Sequence, residues 1–337
     1  MQKIAVLIIY YCLTLASFFT PAMGGGILDA EGEISLEVRK VFSAFQNLLL
    51  TSEKFPQAKI KDILECDHPT VQDLNTLAQD KFLRPQGSER IDAKAQAHYH
   101  ELCAHLSTAQ KDDIINLFRA IGDIDTVYPE NKNPDYILIQ GSTVPNMRER
   151  IMFLAELVTQ GHINLLPGAE IIFLAGERTL FDTETPHVLT HTEPFQMREG
   201  WQPPRNLPGD EREAAKMVWE QLDLPSQLRS KQPLFVEAHK KQGSKRAQTE
   251  DCVRAWVENP RTRPGSCIVV SSNPFVNYQT RVTFMMLKQQ LKHEEFILEG
   301  VGSGASVDKY PLDIAIGLLM DNLARTLYTE NRIKELS

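Results

Sequence analysis

The sequence lacks an excess of positive charge. Its 36 lysine and arginine residues are outnumbered by 44 aspartate and glutamate residues, so the net charge at neutral pH is −8. A general nucleic-acid binder usually presents a basic face. We therefore expect no nucleic-acid partner.

Low-complexity tracts and long runs of like charge are also missing from the sequence. Such segments are typical of disordered regions, so we expect disorder only at the ends and in loops. The 337 residues are enough for two domains and a sizeable core.

Long apolar runs are absent except at the N-terminus. Lys3 provides a short basic region, positions 4–19 are apolar or small almost throughout, and positions 21–24 include small residues suited to cleavage. This pattern predicts a signal peptide over residues 1–24 and a periplasmic or secreted protein. The run is shorter than the ~20 residues of a spanning helix. The alternative is an uncleaved segment, which would give the protein its only membrane contact.

Cysteine is scarce, with five residues in the chain, and cleavage of the signal peptide would remove Cys12. An even number in an oxidising compartment is typical of disulfides. Four cysteines allow three pairings, and pairing within each predicted domain is the simplest. The four remaining residues are Cys66, Cys103, Cys252 and Cys267.

Residues 27–124 are predicted to form a helical domain. Val38, Phe42, Phe45 and Leu49 recur at steps of three and four, as on one face of a helix. Ser107 followed by a glutamine three residues later predicts a capping box at the start of another helix.

Residues 135–330 alternate short apolar runs with helical segments. The runs lie at 136–140, 170–175, 234–237, 267–271 and 296–298, and the helical segments at 147–160, 209–222, 247–257, 278–291 and 311–328. This alternation predicts an α/β fold with a Rossmann-like, doubly wound, mostly parallel sheet. The proline-rich segment 176–208 has no clear period, and a loop of that length favours a functional lid.

The stretch 135–150 combines a strand, a glycine turn and a helix. This grouping places ligand-binding groups at the carboxyl end of a strand, where guanidinium groups and free amides suit phosphate or carboxylate. Its candidates, with those after the fourth strand, are Gly141, Ser142, Thr143, Arg148, Arg150, Ser271, Ser272 and Arg281. Alternatively, the three arginines pair with Glu213, Glu237 or Asp251 to hold the sheet rim.

The order of several segments resembles the YdcF/SanA-like envelope proteins of bacteria over residues 135–291. These segments read LIQGST, RERIMFLAELVTQG, EIIFLAGE, DEREAAKMV, FVEA, QTEDC, VVSS and TRVTFMM. The resemblance implies a Rossmann-like sheet with a polar pocket at the strand ends. The family domain has no settled function; some members are linked to envelope integrity, and one type is associated with S-adenosylmethionine.

The resemblance also implies particular site residues. The matching positions are Gly141, Arg148 or Arg150, Glu213, Glu237, Thr249 and Arg281. Two departures stand out. Asp251 replaces a glutamate, and Tyr278 stands where the family has a histidine, which removes the natural acid/base group.

Three further patterns favour ordinary structural roles. Gly300, Gly302 and Gly304 lack a P-loop lysine and favour a flexible turn. The histidines around Cys66 and Cys103 are too tightly spaced for a typical zinc site, so we expect no metal. His187 and His191 are expected to be polar loop residues, because neighbouring prolines disfavour a helix.

The sequence therefore predicts an exported envelope protein whose Rossmann-like pocket binds an anionic, phosphorylated or nucleotide-like molecule or an envelope precursor. Transferase or hydrolase activity would use Glu237 or Asp251 as base; the cofactor is not identified. The predicted ligand-binding residues are Gly141, Ser142, Thr143, Arg148, Arg150, Glu213, Thr249, Ser272, Tyr278 and Arg281. The alternative is a non-catalytic protein that uses its helical domain and long loop on a protein partner.

Overall fold

The computed structural model describes residues 26–244, 246–290 and 296–336. Within these ranges a five-stranded sheet has the order β3-β2-β1-β4-β5, and every neighbouring pair is parallel. The strands are β1 (Tyr136–Gln140), β2 (Glu170–Leu174), β3 (Leu234–Phe235), β4 (Ser266–Ser272) and β5 (Ile297–Ser303). The predicted Rossmann-like α/β fold is confirmed.

Helices cover both faces of this sheet. Residues of α7 and α9 share one apolar core with the sheet, and residues of α11 and α12 share another on the opposite face. All five residues of β1 are buried, as expected for a central parallel strand. These helices are α7 (Val144–Thr159), α8 (Pro186–Thr190), α9 (Glu211–Gln221), α10 (Ser226–Arg229), α11 (Thr249–Val257) and α12 (Val276–Gln290).

A helical region precedes the sheet. Its helices in the described residues are α1 (Leu36–Ala44), α2 (Gln46–Leu49), α3 (Gln57–Glu65), α4 (Val71–Lys81), α5 (Ala93–Cys103) and α6 (Thr108–Ile121). The predicted capping box is confirmed: Ser107 accepts from the Gln110 amide, and the Gln110 side chain accepts from the Ser107 amide. Gly122, with a φ of 90°, ends α6 in the left-handed conformation.

The helix α13 (Leu312–Glu335) belongs to both packing units. It contributes Ile333 to a core of the α/β region, and its middle completes the core of the helical region. The residues in the helical core are Ile316, Leu319, Met320, Leu323, Ala324 and Leu327. The domain limits 27–124 and 135–330 therefore stay a prediction, since α13 packs in the cores of both the helical region and the α/β region.

Two sequence-based expectations are wrong in the loops. Gly300 and Gly302 lie inside β5 rather than in a flexible turn. A Cβ at Gly302 would lie 2.5 Å from Val276 Cγ2, so the glycine permits α12 to pack on the strand. His187 and His191 lie in and next to α8, with ring centroids 3.9 Å apart, because Pro186 occupies the first turn where it is tolerated.

The predicted disulfides are also contradicted, because all four described cysteines are free thiols. Cys66 is exposed at the end of α3, whereas Cys103 is buried on α5 and donates to the Asp313 carbonyl at 3.8 Å. Burial raises the pKa of Cys103 to about 12 and also raises the pKa values of Cys252 and Cys267. The buried thiols are therefore poorly reactive at neutral pH.

No helix in the described ranges is both long and apolar enough to cross a membrane. The predicted signal peptide, residues 1–24, lies outside the described residues.

Candidate functional site

The carboxyl edge of the sheet brings the end of β1 against the start of α9. Gly141 begins the turn after β1, and a Cβ there would lie 1.9 Å from Glu211 Oε1 and 2.9 Å from Ala175 Cα. Only glycine therefore allows the Glu211 carboxylate to approach this turn. Glu211 is buried, whereas the predicted Glu213 is exposed and accepts the Gly209 amide at 2.9 Å.

Arg178, four residues beyond the end of β2, joins two buried carboxylates. Its Nε donates to Glu211 Oε2, its Nη1 donates to Glu184 Oε2 at 2.7 Å, and its Nη2 donates to the Ser142 carbonyl at 3.1 Å. Glu184 also accepts the Val144 amide at the start of α7, at 2.9 Å. This cluster fixes the beginning of the long loop to the β1 turn.

Two carboxylates in this cluster share the Arg178 guanidinium, and Arg246 adds a positive charge nearby. Burial raises the pKa of Glu211, the positive charges of Arg178 and Arg246 lower it, and the negative charge of Glu184 raises it; the net shift is upward. Burial alone would lower the pKa of Arg178, but the two carboxylates outweigh it and raise the value. Glu211 is therefore the carboxyl group at the β1 turn with a raised proton affinity.

Arg150 links the ends of β1 and β4. Its Nη1 donates to the Gln140 carbonyl at 2.8 Å and the Gly141 carbonyl at 2.9 Å, and its Nη2 donates to Ser272 Oγ at 3.4 Å. These strands flank the point where the strand order reverses, which is where ligands bind in such sheets. Burial lowers the pKa of Arg150 to about 10.

The other two predicted arginines have different partners. Arg148 donates to Gln221 Oε1 and to the Leu189 carbonyl, both at 2.9 Å, and burial lowers its pKa to about 10. The Nε of Arg281 lies 3.2 Å from Glu330 Oε2 on α13. The expectation that these arginines pair with the three named acids is therefore wrong, because other groups lie closer.

The predicted catalytic acids lie apart from the β1 turn. Glu237, after β3, is 73% exposed at its side chain and pairs with Arg212 at 2.7 Å. Asp251 accepts the Gln248 amide at 2.9 Å and caps α11 beside Thr249. The hydrogen-bond and ion-pair partners of Glu237 differ from those of Asp251 among the described residues, so the structure does not join the two acids in one site.

The helical region covers the ends of β4 and β5. Asn273 Nδ2 donates to the carbonyls of Gly122, at 3.0 Å, and Asp125, at 2.6 Å. Asn277 Nδ2 donates to Asp123 Oδ1 at 2.7 Å. Asp123 is 2% exposed, and burial raises its pKa to about 7.

The connection between α4 and α5 carries two more arginines to this edge. The Arg84 guanidinium donates to Asp321 Oδ2, and Arg325 Nε donates to the same oxygen at 3.0 Å. Arg90 lies with its Cζ 3.7 Å from the centroid of the Phe275 ring, just beyond β4.

No carboxylate in the described ranges lies within ion-pair distance of Arg90. Burial and the positive charges of Arg84, Arg325 and Arg246 together lower its pKa to about 9, against the opposing effect of Asp321. The Arg246 backbone forms a bridge with Arg178, which connects this group to the Glu211 cluster. Tyr278, a predicted site residue, interacts electrostatically with Arg325 here.

The described ranges contain no group of three or more histidine, cysteine, aspartate or glutamate side chains placed to hold a metal ion. Comparison of the chain with family models, curated proteins and solved structures finds no match. The resemblance to YdcF/SanA-like proteins therefore stays a prediction that rests on the quoted segments.

Proposed function

We propose that this protein binds an anionic, phosphate-bearing small molecule at the carboxyl edge of its sheet. The observation that carries the proposal is Arg90, a partly buried cation with no carboxylate partner among the described residues and with like charges around it. We call this group the edge arginine cluster; its members are Arg84, Arg90, Arg246 and Arg325.

The charge of the edge arginine cluster supports an anionic ligand. Arg84 and Arg325 share the Asp321 carboxylate, and Arg246 lies 3.9 Å from Glu89 and is also close enough to lower the pKa of Glu211. The surplus of positive charge in the cluster therefore lies at Arg90, in a protein whose net charge is −8. Uncompensated cations in a partly dry setting are costly, and an anion that binds there removes that cost.

The position of the cluster also supports the proposal. Phe275 follows the end of β4, and Arg246 lies beside the segment that leaves β2, so the arginines adjoin the edge where such sheets bind ligands. Arginine forks suit phosphate because they donate two parallel hydrogen bonds. Because residues 1–24 are predicted to be a signal peptide that exports the protein, we propose an envelope precursor as the ligand class.

Acid catalysis by Glu211 is a second candidate function. The raised pKa of Glu211 and its contact with the Gly141 turn favour proton donation at the strand ends. A transferase or hydrolase would use it there, whereas a non-catalytic binding protein would need the edge arginine cluster alone. Glu211→Gln should abolish turnover of an identified substrate while its binding is retained.

Calorimetric titration with inorganic pyrophosphate tests the binding proposal. Arg90→Ala should weaken binding by about 1.5–3 kcal/mol, the scale of a charge-assisted hydrogen bond, without lowering the melting temperature. Arg119→Ala is the matched control, since Arg119 is exposed and pairs with the exposed Asp125. Unchanged affinity in Arg90→Ala, or no binding by the wild type, would remove the main support.

Export is proposed separately from binding. N-terminal sequencing of protein from its own cells should begin near Gly25, and an intact Met1 on soluble protein would contradict export.

A further inference from the structure

The strand β3 leaves one edge of the sheet open. It pairs with β2, and the Val236 amide donates to the Phe173 carbonyl at 3.2 Å. Because successive residues of a strand direct their backbone groups to opposite edges, the N–H and C=O of Phe235 point away from β2. No strand in the described ranges occupies that side. An open edge of this kind accepts hydrogen bonds from another extended chain.

A cavity of about 370 Å³ lies on the Phe235 face of this edge, and we call it the basic cavity. Trp219 and Phe235 provide its aromatic surface. Its charged lining residues are Arg198, Lys216, Arg229, Lys231 and Glu220.

The positive charges of the basic cavity are largely uncompensated. Arg198 pairs with Glu220 at 3.0 Å, but Lys231 Nζ contacts neutral carbonyls, including that of Leu166 at 2.6 Å. Arg229 donates to the Trp219 carbonyl at 2.8 Å. Lys216 Nζ lies 5.8 Å from the Phe235 ring centroid, with no carboxylate in ion-pair distance among the described residues.

A second hollow, of about 320 Å³, lies on the other face of the same strand. Leu234, Val236, Ala255 and Pro260 line it, together with two acids, Glu237 and Glu258. The open edge therefore has a basic cavity on one face and a partly apolar hollow on the other.

We propose that an extended acidic peptide adds to β3 as a further strand. Its backbone pairs with the outward groups of Phe235, an acidic side chain enters the basic cavity, and the next side chain, an apolar one, enters the hollow. This spacing follows because successive side chains of a strand point to opposite faces. A free anion would occupy the basic cavity alone and would not pair with the strand. The cationic side chains that line the basic cavity would repel a basic peptide. The proposal does not depend on the edge arginine cluster.

The probe is a fluorescent peptide of sequence Val-Glu-Val-Glu-Val-Glu, compared with Val-Lys-Val-Lys-Val-Lys, on the full chain. Fluorescence anisotropy should show binding of the acidic peptide only. Lys216→Glu should weaken it by about tenfold or more, the scale of a charge-assisted contact. Lys59→Glu makes the same charge change at an exposed site on α3 and should have no effect. Arg90→Ala should also leave the peptide affinity unchanged.

Hydrogen exchange separates strand addition from simple charge attraction. The amide of Phe235 should exchange more slowly when the acidic peptide is bound. Peptide binding without slower exchange would show a charge contact only and would overturn strand addition. Equal binding of both peptides, no binding at millimolar peptide, or occupation of the edge by a second copy of the chain would overturn it too.

Discussion

Arg281 and Arg90 are both partly buried guanidinium groups, but their surroundings differ. Arg281 lies beside a buried carboxylate, Glu330, whereas Arg90 lies over an aromatic ring among other arginines. A buried ion pair is weak evidence for stability, yet removal of one partner is costly because it leaves the other charge unpaired. The two residues should therefore respond in opposite ways to truncation.

Arg281→Ala should lower the free energy of unfolding by about 3–5 kcal/mol, because Glu330, with 5% side-chain exposure, loses its counter-ion. Urea denaturation measures this loss, and pyrophosphate affinity should not change. Arg332→Ala is the control, since its pair with Glu335 is exposed and should contribute less than about 1 kcal/mol. Equal losses in both variants would show that the Glu330 pair is not a buried structural contact.

Asp123 should make stability depend on pH. Its pKa is about 7 in the folded protein against an ordinary 3.8, so the folded state holds a proton that the unfolded chain releases between these values. The free energy of unfolding should therefore fall as the pH rises from about 4 to about 7. Asp123→Asn should remove this contribution, so its advantage over the wild type should grow across the same range.

Urea denaturation at several pH values measures the difference between the two curves. Asp112→Asn, at an exposed position on α6, is the control for loss of one negative charge. Parallel curves for wild type and Asp123→Asn would contradict the assignment.

At the scale of elements, glycines mark where helices and strands approach closely. Gly317 on α13 faces α5, and a Cβ there would lie 2.1 Å from Tyr99 Cγ and 2.4 Å from Tyr99 Cβ. Because these atoms are near the backbone and Tyr99 is fully buried, the side chain has little room to move.

Gly317→Ala should therefore destabilise the protein by about 1–3 kcal/mol, the range for overpacked cores. Gly168→Ala is the matched control, because a Cβ at Gly168 meets no heavy atom within 4 Å. Thermal melting of both variants measures the contrast, and an unchanged melting temperature for Gly317→Ala would show that the helices separate easily.

The sequence could predict the elements because their signals are local. The apolar run 136–140 became β1 with the same limits, and the capping residues at 107–110 lie where expected. Contacts between distant segments have no such signal. Glu211 and Glu213 are both near the start of α9, and only the fold shows that Glu211 faces inward.

The site was less predictable than the fold for the same reason. Arg178 follows the carboxyl end of β2. It could have been predicted as a site residue on the same ground as Gly141, which follows the carboxyl end of β1. Asp321 interrupts an apolar helix, which is a signal of a buried ionic group. Arg90 lies in a connection between two helices and has no pattern around it, because its importance comes from distant arginines.

At the scale of the whole molecule, α13 makes the helical region dependent on the rest of the chain. A fragment of residues 26–126 lacks six apolar residues of its core, from Ile316 to Leu327. Each buried side chain of this kind contributes about 1.5–3 kcal/mol when it is large. We expect the fragment not to fold cooperatively, as measured by circular dichroism during urea denaturation.

A synthetic peptide of residues 312–335 should restore cooperative unfolding when it is added to the fragment. A peptide with Leu319 and Leu323 changed to alanine should restore less, because both side chains are buried in the shared core. A fragment that already unfolds cooperatively alone would show an independent domain.

The shared helix α13 also determines when, during synthesis of the chain, the core of the helical region can be completed. A ribosome makes a chain from its N-terminus, so every partner of α13 emerges before α13 does. After α6, the last helix of the helical region, about 190 further residues are made before α13 begins, at ~5–20 residues per second. During that time the apolar side chains that pack against α13 in the folded protein lack this partner. The region that is made first therefore completes its core only after the sheet has been translated.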